Sequence, residues 1–329
     1  GDLFGESVAG IGDLDGDGVP DLVVGAPGTD DLQSDAGAVW ILFLNSDGSV
    51  KSARLSETSD GLDLSEEDEF GHSVTAIGDV NGDGISDIAV GAPKHLVGVG
   101  VVLVPDTVGA VYILFLNTDG SVKASQRITE DEGQFAGDLQ GDSLFGSAVA
   151  GIGDVNQDGI PDLAVGNMDD RPGGVGDKTG SIWILTLNVL GQVVSHTQIT
   201  ENSFGSNPLD DSDQFGISIA SPGSVNGDRI PDIIVGARND DGTLSDAGAF
   251  YVLFLGSTCA ANEYLLNGQC TACPANSTSA PGSVGCECDA DHFAGPQGSV
   301  NATECVACEV NTFNNQGDVI PGAETTCDD

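Results

Sequence analysis

The chain repeats one pattern four times, and this repeat limits the possible folds more than any other feature. Each copy begins with Phe-Gly, at Phe4, Phe70, Phe145 and Phe215. A short apolar segment, an Asp-rich loop, a second apolar segment and a longer apolar run follow in that order. We call the copies units one to four; they occupy about residues 1–65, 66–140, 141–210 and 211–257. Such repeats indicate one supersecondary structure copied along the chain.

The apolar segments of unit one predict β-strands. Residues 7–11 alternate in part, residues 21–25 are rich in β-branched side chains, and residues 39–44 form the nearly continuous apolar run of a strand buried on both faces. The Asn-Ser-Asp-Gly turn at 45–48 leads into a more polar outer strand at 50–55. Units two and three repeat this pattern. Because radially repeated four-stranded sheets form a β-propeller, we predict an all-β fold in which four blades close into a wheel.

Two departures from the repeat indicate contact surfaces. The third apolar run of unit four finishes at Leu255 and Cys259 follows almost at once, so the outer strand is missing. An exposed strand edge favours pairing with another chain, unless the following segment covers it. Unit two carries an apolar insertion from Leu96 to Pro105, which either extends a hairpin or forms a contact patch. We interpret both features as sites of self-association, for example head-to-tail into a filament.

The Asp-rich loop between the first two strands has the spacing of a calcium-binding loop. Side-chain oxygens stand at its first, third and fifth positions, the seventh residue offers its carbonyl, and an aspartate closes the set at the ninth. Hard oxygen ligands in a flexible cage suit Ca²⁺. The predicted ligands are Asp13, Asp15, Asp17, the Val19 carbonyl and Asp21 in unit one, Asp79, Asn81, Asp83, the Ile85 carbonyl and Asp87 in unit two, and Asp154, Asn156, Asp158, the Ile160 carbonyl and Asp162 in unit three.

The loop of unit four is degraded. Its corresponding residues are Ser224, Asn226, Asp228, the Ile230 carbonyl and Asp232. Ser224 replaces an aspartate and Arg229 replaces a glycine, so we expect this site to be weak or empty. The alternative for all four loops is an acidic turn without metal, since Asp and Gly also favour turns. The recurrence of alternating oxygen ligands favours the cation, because the clustered carboxylates would otherwise repel each other.

The order of these motifs resembles a known family. Phe-Gly, then Asp-x-Asp-x-Asp-Gly-x-x-Asp, then Gly-Ala-Pro resembles the FG-GAP repeat of integrin alpha-chain propellers, over residues 2–257. The resemblance implies a propeller with Ca²⁺ on the loops of one face, and roles in adhesion, lectin activity or as an accessory domain of larger extracellular proteins. Gly166-Asn167 and Gly236-Ala237-Arg238 replace Gly-Ala-Pro in units three and four, so those turns are expected to differ. Integrin propellers have more repeats, so heterodimer partnership is not carried over.

The C-terminal segment, residues 258–329, has a different composition. It holds all eight cysteines of the chain: Cys259, Cys270, Cys273, Cys286, Cys288, Cys305, Cys308 and Cys327. Clustered cysteines in a small terminal segment predict a disulfide module of two four-cysteine units, with its connectivity left open. A zinc site made from the two Cys-x-x-Cys pairs is the alternative. The pattern around Cys273 resembles ephrin-receptor-like or EGF-like repeats.

Several features predict an extracellular location. N-glycosylation sequons at Asn276 and Asn301 fall inside the cysteine-rich segment and agree with secretion. No signal peptide is recognisable and the chain opens at Gly1, so we expect a mature or trimmed product. No apolar run is long enough for a membrane helix. The formal net charge of −43 excludes nucleic acid and anionic membrane surfaces as favourable partners.

Catalytic patterns are weak in this sequence. The four histidines, His72, His95, His196 and His292, lie at unrelated positions of the repeat. Ser7 and Ser218 have neighbours faintly like a nucleophile elbow, but they occupy a repeated strand position without a partner histidine. We therefore predict a non-enzymatic extracellular protein that acts in adhesion or as a structural subunit of a surface assembly or filament. A carbohydrate-binding propeller and an accessory domain of a larger extracellular enzyme are the alternatives.

Overall fold

The computed structural model divides into two compact units, and it is almost entirely β-structure. The first unit is Gly1–Gly223 with Pro231–Leu253, and the second is Ser224–Ile230 with Phe254–Asp329. The residues that the structure describes are 1–30, 34–56, 61–97, 106–172, 178–203, 209–210, 212–226, 230–240 and 247–256, together with short strands of the second unit.

Sheet one shows how each repeat folds. Its antiparallel strands, paired in the order β1-β2-β3-β4, are β1 Val8–Gly12, β2 Asp21–Ala26, β3 Ala38–Leu44 and β4 Val50–Ser56. The Asn-Ser-Asp-Gly turn joins the last two strands, where Asn45 N–H donates to the Ser49 carbonyl at 2.8 Å and Gly48 takes the positive φ of 80° that suits glycine. The four strands predicted for unit one are therefore confirmed.

Sheet two repeats this order and carries the insertion. Its strands are β5 Ser73–Gly78, β6 Asp87–Ala92, β9 Ala110–Leu116 and β10 Val122–Ile128. Between β6 and β9, strands β7 Leu96–Val97 and β8 Asp106–Thr107 form a separate two-stranded ladder. The base of the insertion is thus a hairpin, and residues 98–105 lie outside the described residues.

Sheets three and four complete the first unit. Sheet three consists of β11 Phe145–Gly153, β12 Asp162–Asn167, β13 Ser181–Leu187 and β14 Val193–Ile199, and the 3₁₀ turn Glu201–Ser203 follows. Sheet four has three strands, β15 Phe215–Gly223, β16 Asp232–Ala237 and β17 Ala249–Leu253. No outer strand pairs with β17 in the described chain, as the end of unit four predicts.

The described residues of the second unit form short strands. These are β18 Glu263–Leu266, β19 Gln269–Ala272, β20 Ser277–Thr278, β21 Cys286–Cys288, β22 His292–Ala294, β23 Cys305–Ala307 and β24 Val319–Ile320. The side chains of all eight cysteines lie outside what the structure describes, as do Asn276 and Asn301. The disulfide module, its zinc alternative and the glycosylation sites remain predictions.

Consecutive sheets pack face to face through apolar side chains. One cluster joins sheets one and two and includes Val39 and Ile41 from β3 with Val74 from β5. A second cluster joins sheets two and three and includes Val111 from β9 with Val149 from β11. Sheet two therefore has one face against sheet one and the other against sheet three, which explains why its third strand, β9, is apolar on both faces.

A Phe-Gly pair marks every junction between sheets. Phe70 forms an isolated parallel bridge with Gly37, and its N–H donates to the Ala36 carbonyl at 3.0 Å. The same bridge recurs between Phe145 and Gly109 and between Phe215 and Gly180. The first two residues of repeats two, three and four thus attach each of these sheets to the sheet before it.

The two terminal faces of this series are open. The order of the sheets fits a four-bladed β-propeller. Within the part of the chain that the structure describes, no packing comparable to that between consecutive sheets joins sheet four to sheet one. Phe4 is 57% exposed whereas Phe70 and Phe145 are 0% exposed.

Candidate metal centres

The Asp-rich loops connect the first and second strands of sheets one to three. In the loop between β1 and β2, Gly16 and Gly18 take positive φ values of 78° and 88°, which lets the chain turn sharply around the acidic side chains. Asp13 accepts hydrogen bonds from the backbone N–H groups of Gly16 at 2.8 Å and Gly18 at 2.7 Å. The loop therefore wraps its own backbone around its first carboxylate.

Three of the predicted ligands of loop one converge. One oxygen each from Asp13, Asp15 and Asp21 lies within 4.8 Å of the other two. Asp13 is exposed, Asp15 is partly buried and Asp21 is buried. Asp17 instead accepts the Val19 N–H at 2.9 Å through one oxygen and directs the other toward a lysine. Loop one thus presents an oxygen cluster that fits a divalent cation.

The aspartate at the ninth position has a structural contact that the sequence did not reveal. Asp21 accepts the Leu14 N–H at 3.0 Å and also the N–H of Leu44, the last residue of β3, at 3.0 Å. Asp87 bonds in the same way to Val80 at 3.1 Å and Leu116 at 3.2 Å. The closing carboxylate therefore attaches the loop to the end of the third strand as well as facing the oxygen cluster.

Burial raises the pKa of the closing carboxylates in two loops. Desolvation raises the pKa of Asp87 to about 6, against hydrogen bonds from Leu116 and Val80 that lower it. Desolvation likewise raises the pKa of Asp162 to about 6, although Leu187 N–H donates to it at 3.1 Å. A buried carboxylate beside other carboxylates is the environment that a cation would stabilise in its charged form.

Loops two and three reproduce the backbone arrangement of loop one. Asp79 accepts Gly82 and Gly84 N–H groups, both at 2.7 Å. Asp154 accepts the Gly159 N–H at 2.7 Å, and Asp162 accepts the Val155 N–H at 2.9 Å. The remaining predicted ligands join the same local networks: Asn81, Asp83, Ile85, Asn156, Asp158 and Ile160. The three loops therefore share the hydrogen bond from the sixth-position glycine to the first aspartate. Among the described residues, the convergence of three carboxylates is found in loop one.

Two lysines reach the first two loops from the outer strands. Lys51 Nζ on β4 lies 2.7 Å from one oxygen of Asp15 and 2.7 Å from one oxygen of Asp17. Lys123 Nζ on β10 lies 2.8 Å from an oxygen of Asp83. Hydrogen bonding to Lys51 lowers the pKa of Asp17. These contacts were missed in the sequence analysis. An alignment of the outer strands would have indicated them, because Lys51 and Lys123 occupy the same position in units one and two, where unit three has Val194.

Only part of the fourth loop is described. The Ser224 hydroxyl donates to Asn226 Oδ1 at 3.2 Å, and Asp232 is buried at the start of β16. Asp228 and Arg229 lie outside the described residues. The expectation of a weak or empty fourth site remains a prediction.

The serines and histidines noted in the sequence have structural contacts. The Ser7 hydroxyl donates to the Gly71 carbonyl of sheet two at 2.8 Å, and Ser73 donates in the same way to Gly146 of sheet three at 2.9 Å. Ser218 occupies the equivalent position on sheet four. His95 Nδ1 lies 3.0 Å from Asp68, far along the chain from these serines. The serine position therefore connects neighbouring sheets.

Comparison with known proteins agrees with this architecture. The FG-GAP repeat family matches residues 4–42, 70–114 and 145–185. Three of the four units match the FG-GAP repeat. The chain is 35% identical to integrin alpha-6 of Gallus gallus over 170 residues, which is 51% of this chain and 14% of that protein. It is also 35% identical to integrin alpha-3 of Cricetulus griseus over 171 residues, 52% of this chain and 15% of that protein.

A third integrin alpha chain gives a similar match. The chain is 35% identical to integrin alpha-PS2 of Drosophila melanogaster over 171 residues, which is 50% of this chain and 11% of that protein. The chain therefore corresponds to a small part of these relatives. Together with the sheet order, the matches support an integrin-like β-propeller. Among the described residues, no helix has the length and apolar character that crossing a membrane requires.

Proposed function

We propose that this chain is a non-enzymatic, extracellular, calcium-binding propeller that acts in adhesion or as a structural subunit of a surface assembly. The observation that carries the proposal is the convergence of Asp13, Asp15 and Asp21 in a loop whose hydrogen bonding recurs in units two and three. Its similarity to integrin alpha chains supports an adhesive role. The proposed localisation is the cell surface or the extracellular space.

The loop residues themselves have three tasks in this proposal. The first aspartate of each loop organises the backbone, and the third- and fifth-position side chains add oxygens. The ninth-position aspartate connects the cation cluster to the third strand. Bound Ca²⁺ would supply positive charge among carboxylates that repel each other, so binding stabilises the folded sheets by linkage. Ca²⁺ suits oxygen ligands in a loop of this flexibility better than Mg²⁺, which requires a stricter octahedral geometry.

A protein partner fits the aromatic side chains better than a glycan does. Trp183 is 4% exposed and packs against Phe135, with ring centroids 5.1 Å apart. Trp40 is half-buried beside Phe4. Carbohydrate recognition usually needs aromatic faces in an accessible pocket, and Trp183 does not offer one. The lectin alternative therefore has less support, and a glycan array tests it.

The calcium and adhesion proposals are tested together with one triple variant. Asp13→Asn, Asp79→Asn and Asp154→Asn keep an oxygen acceptor for the backbone but remove one charge from each loop. We expect Ca²⁺ to raise the melting temperature of the full chain, because binding at a hundredfold excess over Kd adds about 2.7 kcal/mol per site to the free energy of unfolding. The triple variant should lose most of this increase, and surfaces coated with it should retain fewer cells than wild-type surfaces in Ca²⁺.

The control variant replaces two aspartates outside the loops. Asp47 and Asp119 lie in exposed turns between the third and fourth strands, where each accepts hydrogen bonds from a serine. The double variant Asp47→Asn, Asp119→Asn should keep the full calcium response. A wild-type melting temperature that chelator does not change would contradict calcium binding, and cell retention equal to that of albumin-coated surfaces would contradict adhesion.

A further inference from the structure

The first unit has an exposed apolar surface on sheet four and another on sheet one. On sheet four, Phe250 is 70% exposed, whereas its counterparts Val39, Val111 and Ile182 on the other sheets are all 0% exposed. On sheet one, Val8 is 62% exposed, whereas Val74 is 8% exposed and Val149 is 7% exposed. Large apolar side chains exposed together on a sheet face mark an interaction surface.

The face of sheet four forms an open groove. Its volume is about 540 Å³, and its lining includes Ile217, Ser218, Gly236, Gly248 and Phe250. Each of these positions has a counterpart at the internal junctions. The groove therefore lies where the other three sheets receive the next Phe-Gly pair.

The glycines of the groove show what fits there. A Cβ atom on Gly25 would overlap the Gly71 carbonyl oxygen of the following sheet, and a Cβ on Gly91 would overlap that of Gly146. Gly236 is the counterpart on sheet four, and a Cβ there would overlap only the side-chain hydroxyl of Ser218. Gly236 thus leaves space for a backbone carbonyl that no described residue fills.

The hydroxyl of Ser218 is positioned for the same partner. Its counterparts Ser7 and Ser73 donate to the carbonyls of Gly71 and Gly146 on the following sheets. A Phe-Gly pair in the groove would therefore offer its glycine carbonyl to Ser218. It would also offer its phenylalanine N–H to the backbone beside Gly248, as Phe70 does beside Gly37.

At the opposite end of the same unit, Phe4 is 57% exposed, and the Phe4-Gly5 pair forms no bridge to another sheet among the described residues. Phe4 and Gly5 precede β1, and Gly5 has the φ of 96° that Gly71 and Gly146 adopt at 93° and 92°. The pair is flanked by the acidic residues Asp2 and Glu6, whereas the charged residue that lines the groove is the cation Arg238. The two ends are thus complementary in shape, hydrogen bonding and charge.

We propose that the sheet-four groove binds the Phe4-Gly5 end of a second copy of this chain. The contact repeats the geometry of the internal junctions. Because it joins two different surfaces, each copy keeps one free face and the assembly grows head-to-tail. The inference rests on the proposed assembly role and gives it a defined surface.

The test is a mixing experiment on the full chain in calcium buffer, followed by sedimentation velocity. Wild-type protein should form a series of species whose mass rises with concentration. Phe4→Ser removes one face and Phe250→Ser removes the other, so each variant alone should associate more than about tenfold more weakly. An equimolar mixture should form dimers, because each variant retains the face that the other lacks.

Controls separate this contact from general adhesiveness and from misfolding. Leu190 is 60% exposed in the turn between β13 and β14, so Leu190→Ser should leave association unchanged. Gly236→Ala should weaken association while the melting temperature stays near the wild-type value. Calcium binding should be the same in all four variants, so failure of the contact is distinguishable from failure of the calcium proposal.

Two results would overturn the inference. The first is a wild-type chain that stays monomeric over the whole concentration range, which would leave a different protein with such repeats as the occupant of the groove. The second is a mixture of the two phenylalanine variants that stays monomeric although wild-type protein associates.

Discussion

Individual side chains in the loops combine binding and structural contacts. Asp21, Asp87 and Asp162 each accept an N–H from the loop and another from the end of the third strand. Spacing alone predicted these residues as ligands, because it shows which residues carry oxygens. It could not reveal their contacts with Leu44, Leu116 and Leu187, because those contacts depend on how the strands pair.

The lysines provide a prediction at the same scale. Lys51 occupies oxygens of Asp15 and Asp17 that a cation would use, so its ammonium group competes with Ca²⁺ at loop one. We expect Lys51→Met to raise the calcium affinity of loop one by up to about fivefold, measured by titration calorimetry. Val194→Lys should produce the opposite change at loop three, where the outer strand has no lysine.

The matched control is Lys178→Met. Lys178 pairs with Asp169 at 2.7 Å, outside the metal loops, so its removal should leave calcium affinity unchanged. Weaker binding after Lys51→Met would contradict competition and would show that the lysine supports the loop.

At the scale of strands and sheets, the repeat predicts most of the first unit. The strand pattern and the turn at Asn45 are present in the structure, and no fourth strand pairs with sheet four among the described residues. The ladder between β7 and β8 agrees with one of the two alternatives for the apolar insertion, the extended hairpin. The importance of Gly25 and Gly91 could not be predicted, because it depends on how closely the next sheet approaches.

Two glycines at the same strand position give a matched prediction. Gly91→Ala should destabilise the fold by about 1–3 kcal/mol, because its Cβ would overlap the carbonyl of Gly146 on the next sheet. Gly236→Ala should cost far less, because Ser218 can rotate away from it. Chemical denaturation with chelator present measures both values without a contribution from calcium. Equal losses of stability would contradict the assignment of the glycine to the junction between sheets.

At the scale of the whole chain, charge and repetition act together. The net charge of −43 opposes a compact state, and cations bound in three loops would offset part of that repulsion. Sequence predicts the four sheets and their order, because each sheet corresponds to one copy of the repeat. The cysteine-rich segment remains a prediction from its spacing.

Experimental electron density for crystals grown in millimolar calcium chloride tests the central claim most directly. We predict an ion peak among Asp13, Asp15 and Asp21, with equivalent peaks in the loops that begin at Asp79 and Asp154. Well-ordered loops with water or no density at these positions would contradict the claim that calcium binds and stabilises the repeated sheets.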